Sequence, residues 1–360
     1  MAVNDTGAHP GGGDRDLDPC LREAAQDLRD RRGGLVVRAV GRAELTYRAI
    51  VVNVRQMVGE RRPDGEAMRI PIPFRDGTCW AQVWRADVGR VRLYLLDTDI
   101  EANAPDDRRI TDRLYGGDNE HRLQQEIVLG IGGMRALTAL GIKPSVIHLN
   151  EGHAAFAAVE RVRQAIRAEA GQFGFAALRM ADNVVFTTHT PVPAGHDFFP
   201  THLMERYLGG YVWDMREPWE RFLALGRHDP NDRDEPFNMT LLALRLSGRA
   251  NGVSKLHGEV SRKMWNGVWP ELAEEHVPIG HITNGVHIPT WIAPPMESLY
   301  DEWIGREWRT DTGEDRWQRA LHIPRNDLWK ARNQQRERLV VRSLRRVTTT
   351  SPAWAVSVAA

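Results

Sequence analysis

The sequence predicts an α/β fold built on a Rossmann-like parallel sheet. Three observations carry this. Two short apolar runs, 146–149 and 184–186, have the length and composition of strands buried on both faces. An amphipathic helical pattern lies between them and completes a βαβ unit. Each run ends in a polar cluster, Asn150-Glu151-Gly152-His153 and Thr188-His189-Thr190-Pro191, and open α/β sheets bind ligands at the carboxyl ends of their strands.

The elements follow in chain order. Residues 1–33 are rich in Gly, Asp and Arg, which suits a poorly ordered leader with one short helix at 21–28. The stretch 34–100 is strand-rich, with expected strands at 35–40, 50–54, 68–72, 80–84 and 91–96. A long helix is expected over 121–140, from apolar residues at Leu123, Ile127, Val128, Ile131, Met134 and Leu137. Gly132 and Gly133 sit inside it at a cost of about 1 kcal/mol each, which close packing against another backbone would offset. The helix of the βαβ unit spans 152–169 and places His153 in its first turn.

Aromatic-rich helices are expected over 198–225 and a polar acidic loop over 228–235. Further helices are read at 238–246 and 256–265, with a short strand or turn opening at 251–253 between them. A strand at 279–282 runs into Thr283-Asn284-Gly285-Val286-His287. A charged amphipathic helix at 328–337 follows. No acidic residue follows Glu337, so 338–360 reads as an atypical tail, best explained as a truncated or frame-shifted end of a longer protein. The resulting organisation is a leader, one partial domain over 34–337 with a helix and βαβ region at 101–305, and the tail.

Composition narrows the function. The 360 residues carry 48 basic and 48 acidic side chains, a balance that gives no reason to expect nucleic acid or an anionic membrane as partner. The two cysteines, Cys20 and Cys79, support no disulfide framework and suit the cytoplasm. No run approaches the roughly 18 apolar residues of a membrane span. The only lysines are Lys143, Lys255, Lys263 and Lys330, which limits where a Schiff base could form.

The clusters admit rival chemistries. Backbone N–H groups at the helix start beyond Asn150 can face a ligand, with Gly152 letting it approach, or Glu151 can serve simply as an N-cap. His189, at the tip of a loop stiffened by Pro191 and Pro193, is either a ligand-facing group or a hydrogen-bonded core histidine. Asn284 offers both donor and acceptor groups, as a sugar hydroxyl requires, though Asn-Gly after a strand is also an ordinary turn. Zinc held by His148, His153, His189, His196 and Glu151 is the main competitor, but there is no His-Glu-x-x-His pattern. A Ser-His-Asp hydrolase lacks its Gly-x-Ser-x-Gly elbow, and a nicotinamide enzyme lacks its Gly-x-Gly-x-x-Gly turn.

Several segments together resemble the α-glucan (glycogen/maltodextrin) phosphorylases, bacterial type. They are VIHLNEGHAAF at 146–156, VFTTHTPVPAGH at 185–196, LYGGD at 114–118, FNMTLLALRL at 237–246, NGVSKLH at 251–257 and ITNGV at 282–286. The likeness is strong from about Thr111 to Gly305. It implies the amino-terminal half of a two-Rossmann-domain retaining glycosyltransferase. In that family phosphate cleaves the terminal α-1,4-linked glucose of glycogen or maltodextrin and releases glucose 1-phosphate. The cofactor is pyridoxal phosphate, whose phosphate group relays a proton. The resemblance makes His189 and Glu151 the catalytic residues, with the His189 main-chain carbonyl facing developing positive charge. Asn150, His153 and Asn284 would bind substrate, and Trp291 would lie near the cofactor. No metal is implied, and full-length relatives form homodimers.

This sequence departs from the pattern in ways that matter. None of its lysines lies in the family's Thr-Gly-Asn-Met-Lys context, so the cofactor lysine is expected to be absent. The family's early Gly-Gly-Leu-Gly loop is missing from residues 1–74. The chain is therefore expected to be inactive alone. The alternatives are a non-catalytic glucan-binding remnant and a sugar-nucleotide glycosyltransferase.

Overall fold

The computed structural model describes residues 58–350 apart from 76, 89–90, 113–116, 170, 287 and 311–312. The expected leader helix, the strands at 35–40 and 50–54, and the chain beyond 350 lie outside the described residues. The chain divides into two compact units, Met1–Asn284 and Gly285–Ala360.

The first unit opens on an antiparallel sheet of β1 (Val58–Gly59), β2 (Arg69–Phe74), β3 (Gly77–Val88) and β4 (Val91–Asp97). Strand β3 is central and pairs with the other three. Alternation decides its buried face. Ile70 pairs with Ala81 and Ile72 with Cys79, and all four are buried.

That face meets the long helix expected at 121–140. It is built in three parts: α1 (Asn119–Ile127), a π-helical segment (Val128–Gly132) and α2 (Gly133–Ala139). Asp118 caps α1 by accepting the His121 N–H at 2.9 Å. A close backbone approach occurs at Gly130, just before the expected pair. A Cβ on Gly130 would lie 2.6 Å from Phe156 Cβ and 2.8 Å from the Ala157 nitrogen. Gly132 instead makes room for the Ile72 side chain.

The second sheet is parallel throughout. Its strands β5 (Ile147–Asn150), β6 (Val184–Thr188), β9 (Arg249–Gly252) and β10 (Ile279–His281) run in the order β10-β9-β6-β5. The expected α/β class is borne out. The connection from β5 to β6, however, contains two helices rather than one: α3 (Phe156–Glu169) and α4 (Phe173–Ala181). Gly171 lies just past the end of α3, where glycine stops helices, and Phe173 and Ala176 begin a second buried stripe.

A two-stranded antiparallel ribbon, β7 (Phe198–Phe199) with β8 (Phe237–Asn238), brackets α5 (Thr201–Asp214) and α6 (Trp219–Ala224). The polar loop at 228–235 between α6 and β8 is closed by the Glu235 carboxylate, which accepts the N–H groups of His228 and Asp229. Then come α7 (Met239–Arg245), capped by Asn238, and α8 (Lys255–Trp265), capped by Ser254. Leu149, Phe156, Phe186, Leu241 and Leu242 are all fully buried in the core of this unit.

The second unit is helical: α9 (Ile288–Trp291), α10 (Pro294–Trp303), α11 (Glu314–Trp317) and α12 (Arg325–Thr350). Tyr300, Trp308 and Trp317 pack edge to face in its centre. The charged helix expected at 328–337 is longer at both ends. Residues 338–350 contain no glycine or proline, and α12 continues through them. Among the described residues, no helix is long and apolar enough to cross a membrane.

Candidate active site

Strands β5 and β6 pair in register from Ile147 against Val184 to Asn150 against Thr187, so their loops leave the sheet side by side. Glu151 is the first residue past β5, and its N–H still reaches the Thr187 carbonyl at 2.9 Å. Its backbone then turns to φ 66° and ψ 172°, a conformation that side chains other than glycine rarely adopt. Such strain, on the order of 1–3 kcal/mol, persists only where surrounding contacts enforce it.

Those contacts run across to the neighbouring loop. The buried Glu151 carboxylate accepts the main-chain N–H of His189 and the Thr190 hydroxyl, the latter at 3.1 Å. The His189 ring shares a hydrogen bond between Nε2 and Asn150 Oδ1. Three expected site residues, Asn150, Glu151 and His189, are thus laced into one edge. Glu151 is not an N-cap, because no side chain caps the 3₁₀ turn Gly152–Ala154 that follows. The α-helix itself begins only at Phe156, so His153 sits in the 3₁₀ turn before it. Gly152 does not admit a ligand. A Cβ there would lie 3.1 Å from the Thr240 nitrogen, so the glycine serves close packing against α7.

His153 faces a charged group that the sequence reading missed. Its Nδ1 is 3.8 Å from Asp197 Oδ2. The Arg122 guanidinium holds both Asp197 oxygens at 3.3 Å, and its Nε is 3.1 Å from Glu126 Oε1. Glu126 is fully buried. Burial and the nearby Asp197 charge push its carboxyl well above the ordinary range, against the pull of Arg122. Burial opposes ionisation of Asp197 too, but His153, Arg122 and Glu126 outweigh it and hold that carboxyl below the ordinary range. The two carboxyls are thus pushed apart, Glu126 towards its neutral form and Asp197 towards its charged form. Arg122 and Glu126 were legible as an i, i+4 pair on one helix, but their link to Asp197 is long-range.

The histidines expected to compete as zinc ligands are dispersed. His148 Nε2 bonds Thr187 Oγ1 at 2.7 Å, and His196 Nδ1 bonds Thr240 Oγ1 at 2.9 Å. Among the described residues, the grouping with metal-ligand geometry is Glu126, His153 and Asp197, with donor atoms within 4.8 Å of one another. Arg122 already lies against both carboxyl groups, which leaves a cation less to gain there.

Asn284 follows β10 on the same edge of the sheet. Its N–H donates to the Val253 carbonyl at 3.0 Å, and its side chain is exposed. The structure gives it no side-chain contact with Glu151 or His189. Trp291 belongs to α9 in the second unit and is exposed. The four lysines are all exposed, whereas a Schiff-base amine is activated by desolvation or by a neighbouring cation.

The model of one family, described as carbohydrate phosphorylase, matches residues 134–316, which contain both loops. The chain belongs to the carbohydrate phosphorylase family. The maltodextrin phosphorylase of Thermococcus litoralis is 44% identical over 268 residues, 74% of this chain and 31% of that protein. The glycogen phosphorylase of Mycobacterium tuberculosis is 45% identical over 289 residues, 77% of this chain and 33% of that protein. That of Aquifex aeolicus is 35% identical over 283 residues, 77% of this chain and 40% of that protein. This phosphorylase-family chain therefore spans about a third of the length of the relatives it matches.

Proposed function

We propose that this chain forms one wall of an α-1,4-glucan phosphorylase active site and holds the terminal glucosyl unit of glycogen or maltodextrin. The observation that carries the reading is the strained Glu151, whose carboxylate ties down the His189 N–H from the next strand. That bond fixes the peptide of His189 before any substrate arrives. Fixed dipoles and carboxylates aimed at one point are what an oxocarbenium-like centre requires. In this role the His189 carbonyl faces the developing positive charge. The His189 ring, set by Asn150, and the His153 ring take sugar hydroxyls, with Asn284 at the far side of the crevice.

Pyridoxal phosphate supplies the proton-relaying phosphate when bound in the complete enzyme. The exposure of all four lysines supports the view that its attachment site is not among the residues of this chain. Phosphate cleavage of the glucan is accordingly a property of a longer protein, and this polypeptide binds without turning over. The test is affinity chromatography on amylose. The full chain is expected to be retained and eluted by maltodextrin, with retention lost in His189→Ala. Free passage of the folded wild-type chain overturns the reading.

A further inference from the structure

The group beneath His153 has an assignable task. We propose that Asp197 is a positioning residue that fixes the His153 ring as its Nδ1–H tautomer and leaves Nε2 as a hydrogen-bond acceptor at the crevice. The assignment deepens the glucan-site reading and rests on it for the identity of what Nε2 meets.

The geometry carries the argument. A neutral imidazole has one protonated and one bare nitrogen, and the partner of one decides the state of the other. Nδ1 lies 3.8 Å from Asp197 Oδ2, so a bare Nδ1 would set a lone pair against a carboxylate. A proton there replaces repulsion by attraction. Asp197 cannot swing away, because Arg122 grips both its oxygens at 3.3 Å and is itself held 3.1 Å from Glu126. His153 is on the 3₁₀ turn directly after Glu151, so its ring is carried by the same strained loop. Its side chain is 20% exposed, enough for a hydroxyl to reach Nε2.

The raised Glu126 carboxyl and the depressed Asp197 carboxyl fit this arrangement. Both shifts favour a neutral Glu126 and a charged Asp197 opposite the ring. A divalent cation is the rival occupant of Glu126, His153 and Asp197. It would need a bare Nδ1 and an ionised Glu126, both opposite to the state assigned here.

The test is ¹⁵N NMR of the full chain with labelled histidine, recorded at about pH 9, above the ordinary histidine range. Two-bond couplings to the ring protons report which nitrogen is protonated. The wild-type His153 signal is expected to show a protonated Nδ1, unchanged by one equivalent of zinc. A wild-type ring protonated at Nε2, or stoichiometric zinc uptake that strips Nδ1, overturns the assignment without any variant.

Asp197→Asn is expected to move the proton to Nε2 and to weaken amylose retention about tenfold, one hydrogen bond's worth. Combined with His153→Ala it should weaken retention no further than His153→Ala alone. Glu126→Gln, which keeps a donor towards Asp197, should leave the tautomer as in wild type. An Nδ1–H ring with retention indifferent to His153→Ala would sustain the role of Asp197 and refute the sugar-facing reading beneath it.

Discussion

At the scale of the residue, Glu151 combines a cost and a benefit that substitutions can separate. Its φ of 66° is strained for any residue with a Cβ, and its carboxylate is the acceptor for His189 and Thr190. Glu151→Ala keeps the strain and loses the acceptor, leaving the His189 N–H unpaired at a cost of about 1–3 kcal/mol. Glu151→Gly loses the same acceptor but relieves the strain, on the order of 1–3 kcal/mol. The glycine variant is therefore expected to be the more stable of the two, the reverse of the order in a helix interior. Urea unfolding of both variants decides it. Equal midpoints, or a more stable alanine variant, would remove strain from the account of this loop. The sequence marked Glu151 and His189 as neighbours, because each follows a strand of one βαβ unit. It could not show the backbone strain, since nothing in the residue order distinguishes a left-handed Glu151 from an ordinary N-cap. Asp197 was beyond reach for another reason: it is held in place by Arg122, 75 positions earlier.

At the scale of the element, α2, α3 and α5 are joined by one fully buried carboxylate. Glu160 of α3 accepts from Arg163 at 2.7 and 2.8 Å, from Gln164 at 3.1 Å, from Arg135 of α2 at 3.3 Å and from Tyr211 of α5 at 2.8 Å. Burial opposes its ionisation, but these hydrogen bonds and the two arginine charges win and hold it below its ordinary 4.5. A depressed carboxyl contributes stability that is present above the unfolded value and lost as pH falls through the folded one. Glu160→Gln is expected to cost about 3 kcal/mol at pH 7, because it removes the buried charge partner of Arg163 and leaves that guanidinium only the half-exposed Asp214 at 3.3 Å. The same variant should lose less stability than wild type as pH falls below the ordinary 4.5 and through the lower value of the folded carboxyl. Denaturant midpoints across that range check both. An unchanged acid slope would show that the network is not what binds these helices. Element positions were largely legible, because the strands around the site are short apolar runs bounded by polar clusters and the helices have clear apolar periods. The π segment and the split between α3 and α4 were not. Both depend on who approaches whom, as when the Phe156 backbone closes on Gly130, and a period carries no such information.

At the scale of the whole molecule, the parallel sheet belongs to a phosphorylase-family chain, and the question is what its polar edge does by itself. Order β10-β9-β6-β5 brings the loops after β5 and β6 side by side, with the Asn284 loop two strands further along. Residues on a rigid sheet edge keep their geometry, so the proposed glucan binding is expected to persist where chemistry does not. Chemistry in this family runs through a cofactor anchored to a lysine, and the lysines here are four exposed side chains at Lys143, Lys255, Lys263 and Lys330. An exposed amine lacks the desolvation or neighbouring cation that activates a Schiff-base lysine and reacts only weakly, without preference for one site. Incubation with pyridoxal phosphate and borohydride is therefore expected to give substoichiometric label spread over several peptides. Glycogen with phosphate and the cofactor should release no glucose 1-phosphate above a control lacking the protein. A single lysine labelled to one equivalent, with glucose 1-phosphate release abolished by its substitution with arginine, would mean that one of these four amines is desolvated in solution and that the wall described here is a complete active site.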